Sequence, residues 1–287
     1  MTMPRRLIMV RHGLSEANVN QRSLINLPKD LRRALAERPD WEHRLTAIGV
    51  EQAKIAGDWI RQNIGPIASF DVVYYSPFIR TNETAIAIAG DEDVLLTAED
   101  RIIERDWGLF GKVSKEEQKV HFPRTVAEKK ANPLYARFDG GESIMDVYGR
   151  IRDMDATLHR EYPEGTVLMV THGDYMNARR YTIERMFPEE WMALDGDQSF
   201  SFHNCSLLEY TRVNPDDPED VRERLQWRRF IHTNEPEQSP YGGQWVELTK
   251  PRRLTPAQSM ARVERHKRLI PDDIMDSLRK NTGSKNI

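Results

Sequence analysis

Two histidines in this chain each follow a short apolar run and directly precede a glycine. Leu7–Val10 leads into Arg11-His12-Gly13, and Val167–Val170 leads into Thr171-His172-Gly173. Short apolar runs bounded in this way read as buried strands. In an open α/β sheet, ligands collect outside the carboxyl ends of the strands. Two adjacent parallel strands that both end in His-Gly would therefore face two imidazoles across one crevice. A third run, Val72–Tyr75, ends at Ser76-Pro77 and opens a helical stretch with Arg80 near its start. A helix start and a guanidinium both favour anions. The imidazoles of His12 and His172 with the guanidinium groups of Arg11 and Arg80 suit a phosphoryl group, whose equatorial oxygens need positive, hydrogen-bonding partners in the transition state.

The elements that must position these residues alternate along the chain. Thr46 to Ile64 has a helical pattern capped by Thr46, with Ile48, Ile55, Ala56 and Trp59 near one face. Ser143 to Tyr162 is a second helix, with Ile144, Val147, Ile151, Met154 and Leu158 at steps of three and four and Ser143 as its cap. Val94–Leu96 reads as another strand. Ser199–Val213 alternates like antiparallel strands, and the segment 225–234 is expected to add an edge strand. This order predicts a three-layer α/β/α sandwich around a mixed, mostly parallel sheet. The domain is expected to end at Asn234, where Pro, Gly and charged residues take over, leaving 235–287 as an extension with short helices starting at Thr255-Pro256 and near Pro271-Asp272.

The bulk numbers exclude several classes. The 287 residues carry 42 Lys and Arg against 45 Asp and Glu, a net charge of −3, so there is no overall attraction to nucleic acid or an anionic membrane. The basic run from Lys250 to Arg268 reads as a solvated face. Cys205 is the only cysteine, which excludes an intrachain disulfide and zinc motifs built on paired cysteines, and fits a reducing compartment. No window approaches the roughly 20 apolar residues of a membrane span, and the N-terminal apolar run is too short for a signal-peptide core. A cytoplasmic protein is expected.

Seven sequence blocks in order carry a resemblance: "RHG" at 11–13, "LTAIGVEQA" at 45–53, "SPFIRTNETA" at 76–85, "IIERDWGLFG" at 102–111, "GGES" at 140–143, "THG" at 171–173 and "HNCSLLEY" at 203–210. With these, residues 5–233 resemble the histidine phosphatase superfamily, the phosphoglycerate mutase-like family. The resemblance implies a covalent mechanism in which His12 attacks phosphorus and becomes a phosphohistidine. Arg11 and Arg80 would bind the phosphoryl oxygens, His172 and Asn18 would add hydrogen bonds, and Glu104 would protonate the leaving oxygen and then activate water. No metal or other cofactor is implied. Leu14 stands where the family commonly has Glu or Gln, and the segments 19–44 and 108–140 read as insertions near the mouth of the site.

The expected partner is a small phosphorylated substrate or a phosphoprotein, with no nucleic acid and no membrane; a homodimer is a compatible assembly. Hydrolysis is favoured, because the stretch after Asn18 lacks the Phe-Thr-Gly-Trp type of sequence that mutases carry there. A phosphoglycerate mutase-type phosphotransferase is the alternative, since "ERDWG" resembles the mutase version of that block, and a non-catalytic regulatory module is the second. Asn18 also reads as a local cap, Glu142 and Ser143 chiefly as a helix start, and His203 as structural. Trp107, Phe110, Phe122, Tyr135 and Phe138 read mainly as a minor core.

Overall fold

The strand patterns pair into one seven-stranded sheet in the computed structural model, which describes residues 2–21, 25–195, 197, 200–249, 253–271 and 274–275. The chain begins with β1 (Arg6–Arg11), α1 (Glu16–Gln21), α2 (Lys29–Glu37), α3 (Ala47–Asn63), β2 (Val72–Tyr75), α4 (Ile79–Ala89) and β3 (Leu96–Ala98). It continues with α5 (Lys115–His121), α6 (Pro123–Ala131), α7 (Ile144–Glu161), β4 (Thr166–Thr171), α8 (Gly173–Ile183) and α9 (Pro188–Asp195). The remainder is β5 (Ser206–Thr211), β6 (Val213–Asn214), β7 (Asp217–Val221), β8 (Trp227–His232), β9 (Val246–Glu247) and α10 (Pro256–Val263).

The sheet order is β3-β2-β4-β1-β5-β8-β9, in which β3, β2, β4 and β1 run parallel and β5, β8 and β9 continue antiparallel. Side chains alternate across the pleat, and the two faces select different partners. Leu7, Met9, Val167, Met169 and Leu208 pack against α7, α8 and α9. Ile8, Val10, Val73, Leu168, Val170 and Leu207 pack against α3 and α4. Burial on both faces explains why these strands read as continuous apolar runs rather than alternating ones. Each fully buried aliphatic side chain contributes about 1.5–3 kcal/mol of transfer free energy. The expected three-layer sandwich is the fold observed.

The large apolar residues of α7 mark its buried face, as the spacing predicts: Ile144, Val147, Ile151, Met154 and Leu158 are all buried. Its Ser143 cap accepts the Asp146 N–H, and Asp146 returns a bond to the Ser143 backbone. The residues expected on one face of α3 divide: Ala56 is buried and Trp59 packs partly against the core. Ile48 and Ile55 are exposed, at 63 % and 45 %, and the buried stripe is Gly49, Ala53, Ala56, Gly57 and Ile60. Backbone approaches backbone along this stripe. A Cβ on Gly57 would stand 2.6 Å from the Ile88 carbonyl oxygen of α4, so the contact selects a small residue there, while Ile48 and Ile55 face outward.

Two boundaries also differ from expectation. β8 is not the edge strand; Val246–Glu247 pairs outside it as β9. The first compact unit accordingly runs to Thr249 rather than ending at Asn234. The Pro- and Gly-rich stretch reads as a linker, yet it is fastened to β8: the Ser239 hydroxyl accepts the His232 N–H and Leu248 N–H bonds the Gln226 carbonyl. The second unit, from Lys250, holds α10, which starts as expected with Thr255 as its cap in a reciprocal capping box with Gln258 and Pro256 in the first turn. Pro271 is described, but Asp272, the start expected for a second helix, lies outside the described residues. Among the described residues no helix is long and apolar enough to cross a membrane.

Candidate active site

The strand order β2-β4-β1 brings Ser76, His172 and His12 to neighbouring carboxyl ends of the parallel strands. Main-chain bonds continue the ladder one residue past each end: His12 N–H donates to the Thr171 carbonyl and Ser76 N–H to the Val170 carbonyl, both at 3.0 Å. The His12 and His172 rings consequently lie 5.2 Å apart, edge to face at 64°. Both are buried. This is the convergence expected from the two His-Gly strand ends.

Each imidazole is held by a hydrogen bond at one ring nitrogen. His12 Nδ1 lies 2.7 Å from the Gly13 carbonyl oxygen. A carbonyl can only accept, so Nδ1 carries the proton, and Nε2 is the nitrogen that bears the lone pair when the ring is neutral. His172 Nε2 bonds the Ser76 hydroxyl at 2.9 Å, and its buried Nδ1 has no hydrogen-bond partner among the described residues. Burial, reinforced by the nearby charges of Arg80, His12 and Arg11, holds the His172 pKa well below the usual imidazole range. His172 is thus neutral.

The loop after β1 is fixed by contact with the start of α3. Thr46, the cap of α3, bonds the Leu14 carbonyl through both its N–H and its hydroxyl, and a Cβ on Gly13 would stand 2.3 Å from the Gly49 carbonyl oxygen. Gly13 is therefore required by close approach. Its N–H donates to the Thr84 hydroxyl of α4, which ties the His12 loop to the helix that carries Arg80.

Arg11 and Arg80 are both buried. Arg11 donates to the Phe202 carbonyl and passes beneath the start of α8, within 3.5 Å of the position a Gly173 Cβ would take. Arg80, in the first turn of α4, lies over the Phe78 ring at 4.9 Å, and Phe78 in turn meets His172 edge to face at 5.1 Å. Its terminal nitrogens bond Asp40, while its buried Nε has no hydrogen-bond partner among the described residues. An unsatisfied buried N–H calls for an explanation, and an anion at this strand end supplies one.

Glu104 comes to the same place from the loop after β3. Its Oε1 accepts the Arg105 N–H at 2.9 Å and the Asp174 N–H at 3.2 Å. Burial of the carboxyl, together with the negative charge of Asp174, pushes its pKa up to about 7. Of the carboxylates close to Glu104 in the sequence (Glu99, Asp100 and Asp106), Glu99 pairs with Arg101 and Asp106 accepts the Gly108 N–H. Asn18 is linked to the His12 backbone through Asn204. Its side-chain oxygen accepts from Asn204, whose amide also donates to the His12 carbonyl, and the Asn18 N–H reaches the Ser15 hydroxyl. Both readings of Asn18 are compatible with this position.

Several supporting residues escape a reading of the sequence. Asp174 forms an ion pair with Arg105 at 2.8 Å, and the Arg105 guanidinium lies over Trp107 and Phe138 at 4.2 and 4.7 Å. Its place directly after the second His-Gly is the only local signal for Asp174. Phe110 and Phe138 stack in the minor core as expected, whereas Tyr135 is exposed. His203 stacks on His232 at 4.1 Å and faces Glu235, consistent with a structural role. Among the described residues no group of three or more His, Cys, Asp or Glu side chains is arranged to hold a metal ion.

Comparison with known proteins finds a family whose sequence pattern the chain matches. The model of the histidine phosphatase superfamily (branch 1) matches residues 7–216. Phosphoserine phosphatase 1 of Hydrogenobacter thermophilus is 32% identical over 217 residues, covering 75% of this chain and 89% of the relative. A 2,3-bisphosphoglycerate-dependent phosphoglycerate mutase of Methylobacterium radiotolerans is 28% identical over 181 residues, 61% of this chain and 77% of that one. Among solved structures, a mycobacterial glucosyl-3-phosphoglycerate phosphatase complexed with VO3 shares the fold with a TM-score of 0.56 at 22% identity, covering 72% of this chain and 92% of that one.

Proposed function

Because the chain belongs to the histidine phosphatase superfamily, we propose that it hydrolyses a phosphomonoester through a phosphohistidine on His12. The observation that carries this reading is the edge-to-face pair of His12 and His172, 5.2 Å apart at adjacent parallel strand ends, with the lone pair of His12 fixed on Nε2 by the Gly13 carbonyl.

The chemistry follows from the groups in place. His12 Nε2 forms a bond to phosphorus in line with the ester oxygen, whose bond to phosphorus breaks. Arg11, the free Nε–H edge of Arg80 and His172 take the equatorial oxygens, where negative charge must be held through the transition state. The neutral state of His172 lets its ring donate from only one nitrogen. Nδ1 takes that role when Nε2 accepts from Ser76, and Asn18 would add a hydrogen bond from its amide. Glu104, protonated near neutral pH, gives its proton to the leaving oxygen so that an alcohol departs. As a carboxylate it then takes a proton from water, and the hydroxyl attacks phosphorus and frees the imidazole. No step requires a metal.

Phosphoserine and glucosyl-3-phosphoglycerate, the phosphoesters named for its relatives, head the test panel with 3-phosphoglycerate and an aryl phosphate. Free phosphate is measured beside the recovered ester. Release of one phosphate per ester consumed supports hydrolysis. Isomerised ester with little free phosphate would assign the chain to the mutase reading instead.

A further inference from the structure

We propose that Asp40 is a positioning residue for this reaction: it holds Arg80 so that the Nε edge of the guanidinium, rather than its terminal fork, meets the phosphoryl group. The inference rests on the phosphatase reading above. It concerns a residue from the segment 19–44, which the seven sequence blocks do not include.

Asp40 binds Arg80 at three places. Arg80 Nη1 donates to the Asp40 backbone carbonyl at 2.6 Å and lies 3.3 Å from Oδ1, and Nη2 donates to Oδ2 at 2.9 Å. Both terminal nitrogens are therefore committed to one residue. The Phe78 ring covers a face of the guanidinium. What remains is the side formed by Nε and the second hydrogen of Nη2, and Nε is buried with no hydrogen-bond partner among the described residues. A planar guanidinium can offer two parallel N–H groups from this side as well as from its end, so an anion can be bound without displacing Asp40.

Asp40 is itself fastened on both flanks. Arg38 pairs with Glu16 at 2.8 Å on one side. On the other, Glu83 of α4 accepts the Leu45 N–H and the Arg44 guanidinium. Glu83 and Arg80 lie on the same helix, so the segment and the guanidinium it holds share one scaffold. This argues for a fixed brace rather than a carboxylate that vacates the site when phosphate arrives. Loss of orientation at a reacting centre costs up to about 100-fold; loss of a competing carboxylate would have the opposite sign.

The test is a double-mutant cycle with Asp40→Ala, Arg80→Ala and the pair, reading kcat/KM on an aryl phosphate and, separately, the affinity for inorganic phosphate by titration calorimetry. Asp40→Ala is expected to lower kcat/KM by about 10- to 100-fold and to weaken phosphate binding. In the Arg80→Ala background it should add nothing, because coupled residues are non-additive. Asp40→Asn, which keeps the shape, the backbone carbonyl and one side-chain acceptor, should recover part of the loss. It also serves as the readout if the alanine variant fails to fold. Tighter phosphate binding in Asp40→Ala or Asp40→Asn would overturn the proposal and make Asp40 a competitor for the site; equal losses with and without Arg80 would reduce it to a fold contact. Phosphate titration reads Asp40 even if the wild-type protein fails to turn over an ester, which keeps this result distinct from failure of the hydrolytic reading.

Discussion

Replacing Glu104 by Gln should make the protein slower and, above neutral pH, more stable. Its carboxyl, ordinarily near 4.5, is pushed up to about 7 by burial and by Asp174. That displacement corresponds to about 3 kcal/mol against the charged form. Between pH 4.5 and 7 the folded state holds a proton that the unfolded chain has released. Stability therefore falls as pH rises through this window, by at most about 3 kcal/mol. Glutamine keeps the oxygen that accepts from Arg105 and Asp174 and removes the titration. Urea unfolding at pH 5 and pH 8 should show the wild-type decline flattened in the variant.

Activity moves the other way. Only the protonated carboxyl can act as the acid, so wild-type kcat/KM should fall above pH 7, and the variant should lose that limb along with about 10²- to 10⁴-fold in rate on an alkyl phosphate. The loss should be smaller on an aryl phosphate, whose leaving oxygen needs less help. A variant that retains the alkaline limb, or declines in stability as wild type does, would refute the assignment of Glu104.

Other substitutions test the scaffold. Gly13→Ala places a methyl group 2.3 Å from the Gly49 carbonyl oxygen and should cost about 1–3 kcal/mol in chemical denaturation, with loss of turnover because the His12 loop shifts. Ser76→Ala removes the hydrogen bond to His172 Nε2 and strands a buried nitrogen. Unfolding should show a cost of about 1–3 kcal/mol, and kcat/KM should drop about tenfold as His172 loses its orientation.

How much of this is readable in advance depends on how local the cause is. The two His-Gly strand ends are legible because each is a contiguous signal and the parallel topology does the rest. The face of α7 is legible because bulky apolar residues mark it; α3 misleads because its contacts with α4 and with the loop after β1 are so close at Gly57 and Gly49 that no larger side chain fits there, and part of the buried stripe carries no bulky apolar residue. The strip from Pro236 to Glu247 carries every composition mark of a linker, yet is held by hydrogen bonds to β8 that no local pattern announces. Asp40 is further still from legibility. Its importance lies in an ion pair with a residue forty positions away, and within its own segment it is one charged residue among ten.

The central claim is tested most directly by trapping the covalent intermediate. Brief reaction with an isotopically labelled phosphoester, an alkaline quench and peptide mass spectrometry should place one phosphoryl group on His12, stable to base and lost in mild acid. The label should be chased into free phosphate and be absent from His12→Ala. Turnover with no phosphoryl group on His12, or with the label on another side chain, would contradict the account.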